Sequence, residues 1–410
     1  MTRIILDASY ILKDNKASGN DCISNEMIKC LIEVNPTLLV KLFNTILSQN
    51  VNIKSWDVSI ITPIYKSGLR THPTNYRGIA VLSCLSKLFS SVLHLRLKKY
   101  VLDNNILREE QLGFREGNRT SDSHIILYNL IQKYCQNNNQ KIYSCFVDFR
   151  KAFDSVPRDL LLKKLLERGV NGKFFNILKA MYSNDRCCVR IGDKISSEFS
   201  VNLGVKQGCV LSPLLFNIFL SDLPKIFERP ECQPIKINDF RRLGSLIWAD
   251  DVVLLSESDN GLQEMISKLG LYAISNHLEV NEEKTKALVF NKTGRFIKAV
   301  YKIGDKFIHC TKSYKYLGFI FTPSGEITTG LKDLKARALR SYYKMKGKLG
   351  HFFRLYPLIS LKLFNAMIKP VLLYASDFWG CLKGPKSNLI ENVHIMFCKH
   401  LLGVQKQTST

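Results

Sequence analysis

Residues 245–256 have the sequence SLIWADDVVLLS, in which two adjacent carboxylates interrupt an otherwise apolar stretch. The flanking aliphatic and β-branched residues predict a strand, a tight turn and a second strand, with Asp250 and Asp251 at the turn. Like charges this close repel each other, which raises the pKa of the carboxyl groups. A bound divalent cation relieves that repulsion, whereas an exposed acidic β-turn is the alternative that this stretch leaves open.

A third carboxylate, Asp148, lies in the apolar sequence CFVDF at residues 145–149. Burying an unpaired charge in such a strand is costly, so Asp148 either binds a metal or caps the turn that follows the strand. Oxygen ligands alone, without His or Cys beside Asp250 and Asp251, favour Mg²⁺ over zinc. Two such ions, about 3.5–4 Å apart, stabilise the attacking and leaving oxygens of phosphoryl transfer.

The charge of the chain indicates a polyanionic partner. Its 410 residues include 59 Lys and Arg against 35 Asp and Glu, a net charge of +24. The densest positive segment is 326–410, with 14 Lys and Arg against 4 Asp and Glu. Such a surface attracts nucleic acid and releases its counterions. Together with the carboxylates, it predicts a metal-dependent enzyme that acts on nucleic acid, with the direction of the reaction left open.

An anionic membrane surface is the less favoured partner. No basic amphipathic helix beside an anchor is evident, and no apolar run reaches the ~18 residues of a spanning helix. The N-terminal residues lack the pattern of a secretory signal. We therefore expect an intracellular protein, present in the cytoplasm and nucleus, that has no membrane partner.

Hydrophobic periodicity predicts an α+β protein in which helices and strands alternate up to about residue 325. Pro63 marks the first strand as an edge strand, because proline has no N–H to donate to a neighbouring strand. Helices are predicted over 22–48 with a break near Pro36, 82–103, 122–137, 157–169, 172–181, 208–220 and 262–269, and throughout 326–410. Strands are predicted over 58–65, 141–149, 286–290 and 314–322, and hairpins turn at Gly192-Asp193 and Gly304-Asp305.

Three segments resemble the catalytic motifs of reverse transcriptases from non-LTR (LINE-type) retrotransposons. Residues 146–156, FVDFRKAFDSV, are similar to motif A, residues 204–217, GVKQGCVLSPLLFN, to motif B, and residues 248–251, WADD, to motif C. Further similar segments occur in the same order as in the family from about residue 16 to 320. A weaker similarity continues to residue 403. The similar segments are 16–21 (KASGND), 75–77 (NYR), 82–87 (LSCLSK), 111–115 (QLGFR), 281–285 (NEEKT) and 314–318 (YKYLG).

The resemblance implies a right-hand polymerase architecture and an RNA-directed DNA polymerase activity. The fingers would span 1–140, the palm with its antiparallel sheet 141–325, and a basic helical thumb 326–410. The implied partners are an RNA template, a DNA primer or nicked target DNA, and dNTPs, which would be added to the primer 3′-hydroxyl. The implied cofactor is a pair of Mg²⁺ ions, with Mn²⁺ as an alternative.

The resemblance also implies roles for single residues. Asp148, Asp250 and Asp251 would bind the metal ions, and the backbone carbonyl of Phe149 would be an extra ligand. Phe153 would lie under the sugar of the incoming nucleotide, where an aromatic ring leaves no room for a 2′-hydroxyl.

Five further residues would act on the nucleotide. Lys66 and Arg77 would bind its triphosphate. Gln207 and Gly208 would border the sugar and the template base, since glycine permits close approach of the backbone. Lys284 would protonate the leaving pyrophosphate as a general acid.

Three departures from the family pattern keep alternatives open. Trp248 stands where Tyr or Phe is usual, Gly78 replaces the Pro after Arg77, and Asn20 replaces the Pro before Asp21. A catalytically inactive RNA-binding relic is therefore one alternative. A group II intron maturase-like polymerase or an RNA-dependent RNA polymerase is another, because both share the palm.

Two features of the chain bear on its reaction and extent. Phe153 disfavours ribonucleotides, and the roughly 85 residues after the palm leave little space for the splicing module of a maturase. The endonuclease and Cys-His modules of the family do not fit in this chain, so we expect a fragment of a larger polyprotein or a truncated reading frame.

Overall fold

The computed structural model describes residues 1–51, 53–380, 385–405 and 407, with side chains except at 385–387. The helices are α1 (Thr2–Ser9), α2 (Asn25–Val34), α3 (Pro36–Gln49), α4 (Cys84–Asp103), α5 (Thr120–Ile131), α6 (Ala152–Ser155), α7 (Arg158–Glu167), α8 (Gly172–Ser183), α9 (Ser212–Phe219), α10 (Leu223–Ile226), α11 (Asp259–Ser275), α12 (Thr328–Leu349), α13 (Phe352–Leu355), α14 (Pro357–Met367), α15 (Lys369–Leu372), α16 (Ser376–Trp379) and α17 (Pro385–Leu402).

The strands confirm the predicted α+β class, because helices and strands alternate up to Phe321 and helices follow. They are β1 (Val58–Tyr65), β2 (Tyr76–Val81), β3 (Ile142–Val147), β4 (Arg186–Ile191), β5 (Lys194–Ile195), β6 (Phe199–Ser200), β7 (Ile235–Lys236), β8 (Arg242–Leu243), β9 (Ser245–Trp248), β10 (Asp251–Ser256), β11 (Lys286–Phe290), β12 (Val300–Ile303), β13 (Lys306–His309), β14 (Tyr314–Tyr316) and β15 (Phe319–Phe321).

The chain forms two compact units, each assembled from separate segments. The first unit consists of Met1–Phe114, Phe149–Ile226 and Gly270–Val280. The second consists of Arg115–Asp148, Phe227–Leu269 and Asn281–Thr410. These units do not test the boundaries at 140 and 325 proposed for fingers, palm and thumb, which stay predictions.

Helix ends follow local side-chain chemistry. Pro36 opens α3 at the position where its missing N–H is not needed, which is the predicted break in the 22–48 helix. Ser83 caps α4, since its hydroxyl accepts from the Ser86 amide at 3.3 Å. Asn50 ends α3 in the left-handed conformation, with φ of 51°.

The sheet of the first unit has the strand order β2-β1-β4-β5, with β6 also paired to β4. The prediction that β1 is an edge strand was wrong, because β1 lies between β2 and β4. Its parallel partner β4 covers only Val58–Ile61. Pro63 lies beyond that stretch, so its missing N–H interrupts no pairing with β4.

The four-stranded sheet of the second unit is antiparallel and has the order β11-β3-β10-β9. Its central strands β3 and β10 are buried along almost their whole length. Side chains such as Cys145, Val253 and Leu288 are fully shielded from solvent. Their burial stabilises the sheet by about 25 cal/mol for each Å² of apolar area removed from water.

Two predicted elements differ in the structure. Residues 314–322 form a hairpin of β14 and β15 instead of one strand. Its turn is made by Leu317 and Gly318, both of which have positive φ, 42° and 84°. The helix predicted over 208–220 begins only at Ser212, and Gly208 before it has a φ of 94°, which a helix does not accommodate.

Within the described residues, no single helix has both the length and the apolar composition needed to cross a membrane. The helices α2 and α3 meet that condition only when taken together, and they are bent by 107° relative to each other.

Candidate active site

The hairpin of β9 and β10 presents the two adjacent carboxylates at different places. Asp251 is the first residue of β10 and pairs with Trp248, so the turn consists of Ala249 and Asp250. Ala249 has a φ of 57°, a conformation that costs a non-glycine residue on the order of 1 kcal/mol. The prediction that both carboxylates occupy the turn is therefore corrected: Asp250 is in the turn and Asp251 is in the strand.

Asp148 follows β3, which is hydrogen-bonded to β10. The register pairs Val147 with Val252, so its continuation places Asp148 opposite Asp251. The predicted neighbourhood of the two strands is confirmed. Asp148, Asp250 and Asp251, here called the carboxylate triad, thus come from the ends of two paired strands and the turn beside them.

Residues 281–285 hold Asp148 in place. The Asp148 amide donates to Thr285 Oγ1 at 3.1 Å, and its carbonyl accepts from the Asn281 amide at 2.8 Å. Its carboxylate oxygen Oδ2 accepts from Asn281 Nδ2 at 3.0 Å and lies 3.5 Å from Lys284 Nζ. Asn281 and Thr285 belong to the segment NEEKT, whose sequence alone does not indicate that they orient Asp148.

The carboxylate triad has an unfavourable electrostatic environment. Burial, followed by the charges of Asp250 and Asp148, raises the pKa of Asp251 to about 6. Lys284 acts in the opposite direction and lowers that pKa. The three carboxylates therefore lie close enough to repel one another.

The donor chemistry of this group suits a hard divalent cation. All three side chains offer oxygen, and a cation removes their mutual repulsion. Asn281 Oδ1 is a further buried oxygen that has no hydrogen-bond partner. In the described part of the chain, however, no three Asp, Glu, His or Cys side chains are already gathered as a metal-ligand set. The Lys284 ammonium, 3.5 Å from Asp148 Oδ2, supplies a positive charge beside this carboxylate.

A cavity of about 230 Å³ opens beside Asp251 in the second unit. Its wall includes residues 314–318, the YKYLG segment, together with Phe146 and Val147. The Tyr314 ring stacks on Phe146 with centroids 4.4 Å apart, and burial raises the pKa of the Tyr314 hydroxyl. The hairpin that was predicted as one strand thus lines space next to a member of the carboxylate triad.

Phe153 lies in the first unit, in a packed aromatic cluster. Its ring stacks on Phe216 with centroids 4.2 Å apart and meets Phe114 edge-on at 6.1 Å. The Phe153 carbonyl accepts from the Val205 amide at 2.9 Å. Both the ring and the backbone are therefore fixed, while part of the side chain stays exposed.

Gln207 and Gly208 lie on the segment that bonds to this cluster. Gln207 Nε2 donates to Asp154 Oδ1, one residue after Phe153. A Cβ at Gly208 would lie 2.6 Å from the Ala80 carbonyl oxygen. Only glycine fits there, because a side chain would collide with the backbone of β2. The role of Gly208 beside the sugar and the template base stays a prediction.

Lys66 and Arg77 belong to the β1–β2 hairpin of the first unit. Arg77 pairs with Ile64 in the register of the two strands, and the Lys66 amide donates to the Asn75 carbonyl at 2.8 Å. Both side chains are exposed, and within the described residues neither forms an ion pair. Their charges are therefore available to an anionic ligand.

Phe149 follows Asp148 and belongs to the first unit. It forms an isolated antiparallel bridge with Val280, and the next amide, that of Arg150, donates to the Glu279 carbonyl at 2.8 Å. The backbone at Phe149 and Arg150 is thus held by residues 279 and 280.

Comparison with known proteins assigns the chain to a family. The model described as reverse transcriptase (RNA-dependent DNA polymerase) matches residues 64–321, so the chain belongs to the reverse transcriptase family. Membership confirms the predicted resemblance to non-LTR retrotransposon enzymes and the right-hand polymerase fold.

Its relatives are polymerases of mobile elements. The chain is 29% identical over 401 residues to the probable RNA-directed DNA polymerase from transposon BS of Drosophila melanogaster, covering 94% of this chain and 43% of that protein. It is 25% identical over 403 residues to the RNA-directed DNA polymerase from mobile element jockey of Drosophila funebris, covering 96% and 43%. The chain thus spans less than half the length of these relatives.

Among solved structures, the chain resembles telomerase from Candida albicans with a TM-score of 0.47 and 13% identity. That alignment covers 91% of this chain and 71% of the telomerase.

Proposed function

We propose that this chain is the polymerase part of a non-LTR retrotransposon reverse transcriptase. It would extend a primer 3′-hydroxyl with dNTPs on an RNA template. The observation that carries the proposal is the carboxylate triad, in which register places Asp148 opposite Asp251 and Asp250 occupies the adjoining turn. Family membership supports the same reaction class.

The carboxylate triad would hold two Mg²⁺ ions, with Mn²⁺ as an alternative and the Phe149 carbonyl as a further ligand. When bound, the ions supply charge neutralisation of the phosphates and polarise the reacting oxygens. Asn281 and Thr285 keep Asp148 oriented. Lys284, whose side chain is 63% exposed, is free to leave Asp148 and donate a proton to the departing pyrophosphate.

The first unit would supply nucleotide selection. The stacking of Phe153 on Phe216 prevents the ring from moving aside, so a 2′-hydroxyl would meet it. Gln207 and Gly208 would border the sugar and base. Lys66 and Arg77 would bind the triphosphate by charge-assisted hydrogen bonds.

The partners and the place of action belong to the same proposal. An RNA template, dNTPs and a DNA primer or nicked target DNA suit a chain with a net charge of +24. The protein would act inside the cell, in the cytoplasm and nucleus.

Primer extension tests the proposal. Wild type is incubated with a primed RNA template, Mg²⁺ and either dNTPs or NTPs, beside Asp250→Asn. We expect DNA synthesis by wild type and none by Asp250→Asn. Asp193→Asn, which removes an exposed acid in the β4–β5 hairpin turn, is the matched control and should be active.

The other outcomes separate the alternatives. Activity of Asp250→Asn equal to wild type would refute the metal assignment. Equal use of NTPs and dNTPs by wild type would refute the sugar-selecting role of Phe153. RNA binding with strong salt dependence but no incorporation would support the inactive relic instead.

A further inference from the structure

Three charged side chains, none of which has been given a role above, are buried together in the first unit. Asp185 Oδ2 accepts from Arg158 Nη2 at 2.6 Å, and Asp185 Oδ1 lies 3.0 Å from Lys206 Nζ. Their side chains are 8%, 3% and 8% exposed for Arg158, Asp185 and Lys206. Two cations share one carboxylate, so the group buries an excess positive charge. Because apolar side chains would stabilise a core at lower desolvation cost, stability alone does not account for the arrangement.

Arg158 is bonded to the backbone of the segment 201–204 and to the backbone at the end of α8. Its Nε donates to the Gly204 carbonyl at 3.0 Å, and its Nη1 donates to the Val201 carbonyl at 2.5 Å and the Tyr182 carbonyl at 2.9 Å. Nη2 also approaches the Leu203 carbonyl at 3.5 Å. One guanidinium therefore fixes the beginning of the segment 201–208, here called the Gln207 loop.

Lys206 fixes the other end of the Gln207 loop. It precedes Gln207, and its buried ammonium reaches Asp185. Its carbonyl accepts from Ser212 Oγ at 2.6 Å. Asp185 thus connects both ends of the loop, through Arg158 at 201–204 and through Lys206 beside Gln207.

The Gln207 loop is bonded in turn to the segment that carries Phe153. The Val205 amide donates to the Phe153 carbonyl at 2.9 Å, and Gln207 Nε2 donates to Asp154 Oδ1. At Gly204, with φ of 81°, a Cβ would lie 2.7 Å from the Asp154 carbonyl oxygen. The two backbones are in contact, so a displacement of the loop is transmitted to Phe153.

We infer that Arg158, Asp185 and Lys206 are positioning residues that set the discrimination between dNTPs and ribonucleotides. They do so by holding the Gln207 loop, and through it Phe153, in a single position. The inference rests on the proposed function for its substrate. All three residues, with Asp154 and Gln207, line a cavity of about 510 Å³ in the first unit. The buried network therefore lines the same cavity as Gln207 and Asp154, which lies next to Phe153 in the sequence.

The test variant is Lys206→Met. It removes the excess cation and leaves the neutral Arg158–Asp185 pair, so the fold is expected to persist. Single-nucleotide insertion is measured with a dNTP and the matching rNTP. The kcat/KM for the dNTP divided by that for the rNTP, here called the sugar ratio, should fall about tenfold. For the dNTP, KM should rise by a larger factor than kcat falls.

Lys164→Met is the matched control. Lys164 lies on α7, the helix that begins with Arg158, and its side chain is 10% exposed. Its ammonium donates to the Phe219 carbonyl at 2.7 Å and to Asp222 Oδ1 at 3.0 Å, away from the Gln207 loop. Thermal stability should fall in this variant, whereas the sugar ratio should equal that of wild type.

Hydrogen exchange of residues 201–208 gives a readout independent of activity. We expect faster exchange in Lys206→Met and in Asp185→Asn than in wild type or Lys164→Met. Absence of primer extension by wild type would refute the proposed function, and the exchange comparison would still decide whether the network holds the loop. Wild-type exchange in Lys206→Met, or a wild-type sugar ratio in an active Lys206→Met, would overturn the inference.

Discussion

The carboxylate triad of the second unit and the Phe153 segment of the first unit are organised in opposite ways. The triad contains three like charges, and burial, followed by the charges of Asp250 and Asp148, raises the pKa of Asp251 to about 6. Phe153 is held by ring stacking and by a backbone hydrogen bond, without any ligand. The difference teaches that the carboxylate triad lacks the charge balance that a cation would supply, whereas the Phe153 segment is already fixed by packing.

The largest expected effect follows from removing one member of the carboxylate triad. Asp148→Asn should reduce primer extension at saturating Mg²⁺ by at least about 10³-fold, because the remaining two carboxylates cannot hold the ions that stabilise the transition state. Nucleotide insertion rates of Asp148→Asn, compared with those of the control variant Asp193→Asn, measure this loss. A reduction of only a few fold would place the metal ligands elsewhere.

A smaller effect with a different signature is expected from the packed region. Phe153→Ala should lower dNTP insertion modestly but reduce dNTP preference over rNTP by about a hundredfold, because the ring that excludes the 2′-hydroxyl is gone. Phe153→Tyr keeps a ring on Phe216 and should retain most of the preference. Competition between a dNTP and its rNTP measures the ratio, and an unchanged ratio in Phe153→Ala would contradict this role.

Acidity should weaken cation binding at the carboxylate triad and leave the packed region unaffected. Since the pKa of Asp251 is raised to about 6, this carboxyl group is protonated below that pH in the absence of a cation. Protons then compete with Mg²⁺, and the affinity should fall by up to about tenfold per pH unit below pH 6. Calorimetric titration at pH 5, 6 and 7.5 measures it. A pH-independent affinity in wild type would contradict the coupling.

The smallest expected effect concerns the stability of the metal-free protein. The folded-state pKa of Asp251 lies above its unfolded value of 3.8, so the folded state binds more protons between about pH 4 and 6. Stability is therefore lost as pH rises through that window. Asp251→Asn removes the penalty and should raise Tm by a few degrees at pH 7.5 without metal.

Mg²⁺ provides the control for that stability measurement. It should raise the Tm of wild type by more than that of Asp251→Asn, because the variant has lost one ligand. A variant that melts below wild type in metal-free buffer at pH 7.5 would contradict the repulsion assigned to this site.

Local sequence signals predicted several elements well. Strands β1 and β11 have the bounds that were predicted, because each is a short apolar or β-branched run. The turn at Leu317 and Gly318 was not predicted. Only the glycine indicated a turn, because a leucine rarely adopts a φ of 42°. The position of β1 between two strands also could not be predicted, because pairing with β4 joins residues more than a hundred positions apart.

The candidate site likewise contains residues that the sequence predicted and residues that it did not. The carboxylate triad was predicted because charges inside apolar strands are conspicuous and the motifs recur in a known order. The buried network of Arg158, Asp185 and Lys206 was not predicted, because its members are distant in the sequence. Each of them taken alone resembles an ordinary surface charge. Five of the ten residues of α7 are charged, so Arg158 did not stand out in the sequence.

The dependence of primer extension on Mg²⁺ tests the central claim most directly. Wild type should be inactive in chelator and should become active as Mg²⁺ is added on an RNA template with dNTPs. Asp250→Asn should stay inactive at every Mg²⁺ concentration. DNA synthesis by wild type without divalent metal, or by Asp250→Asn at the wild-type rate, would contradict the account.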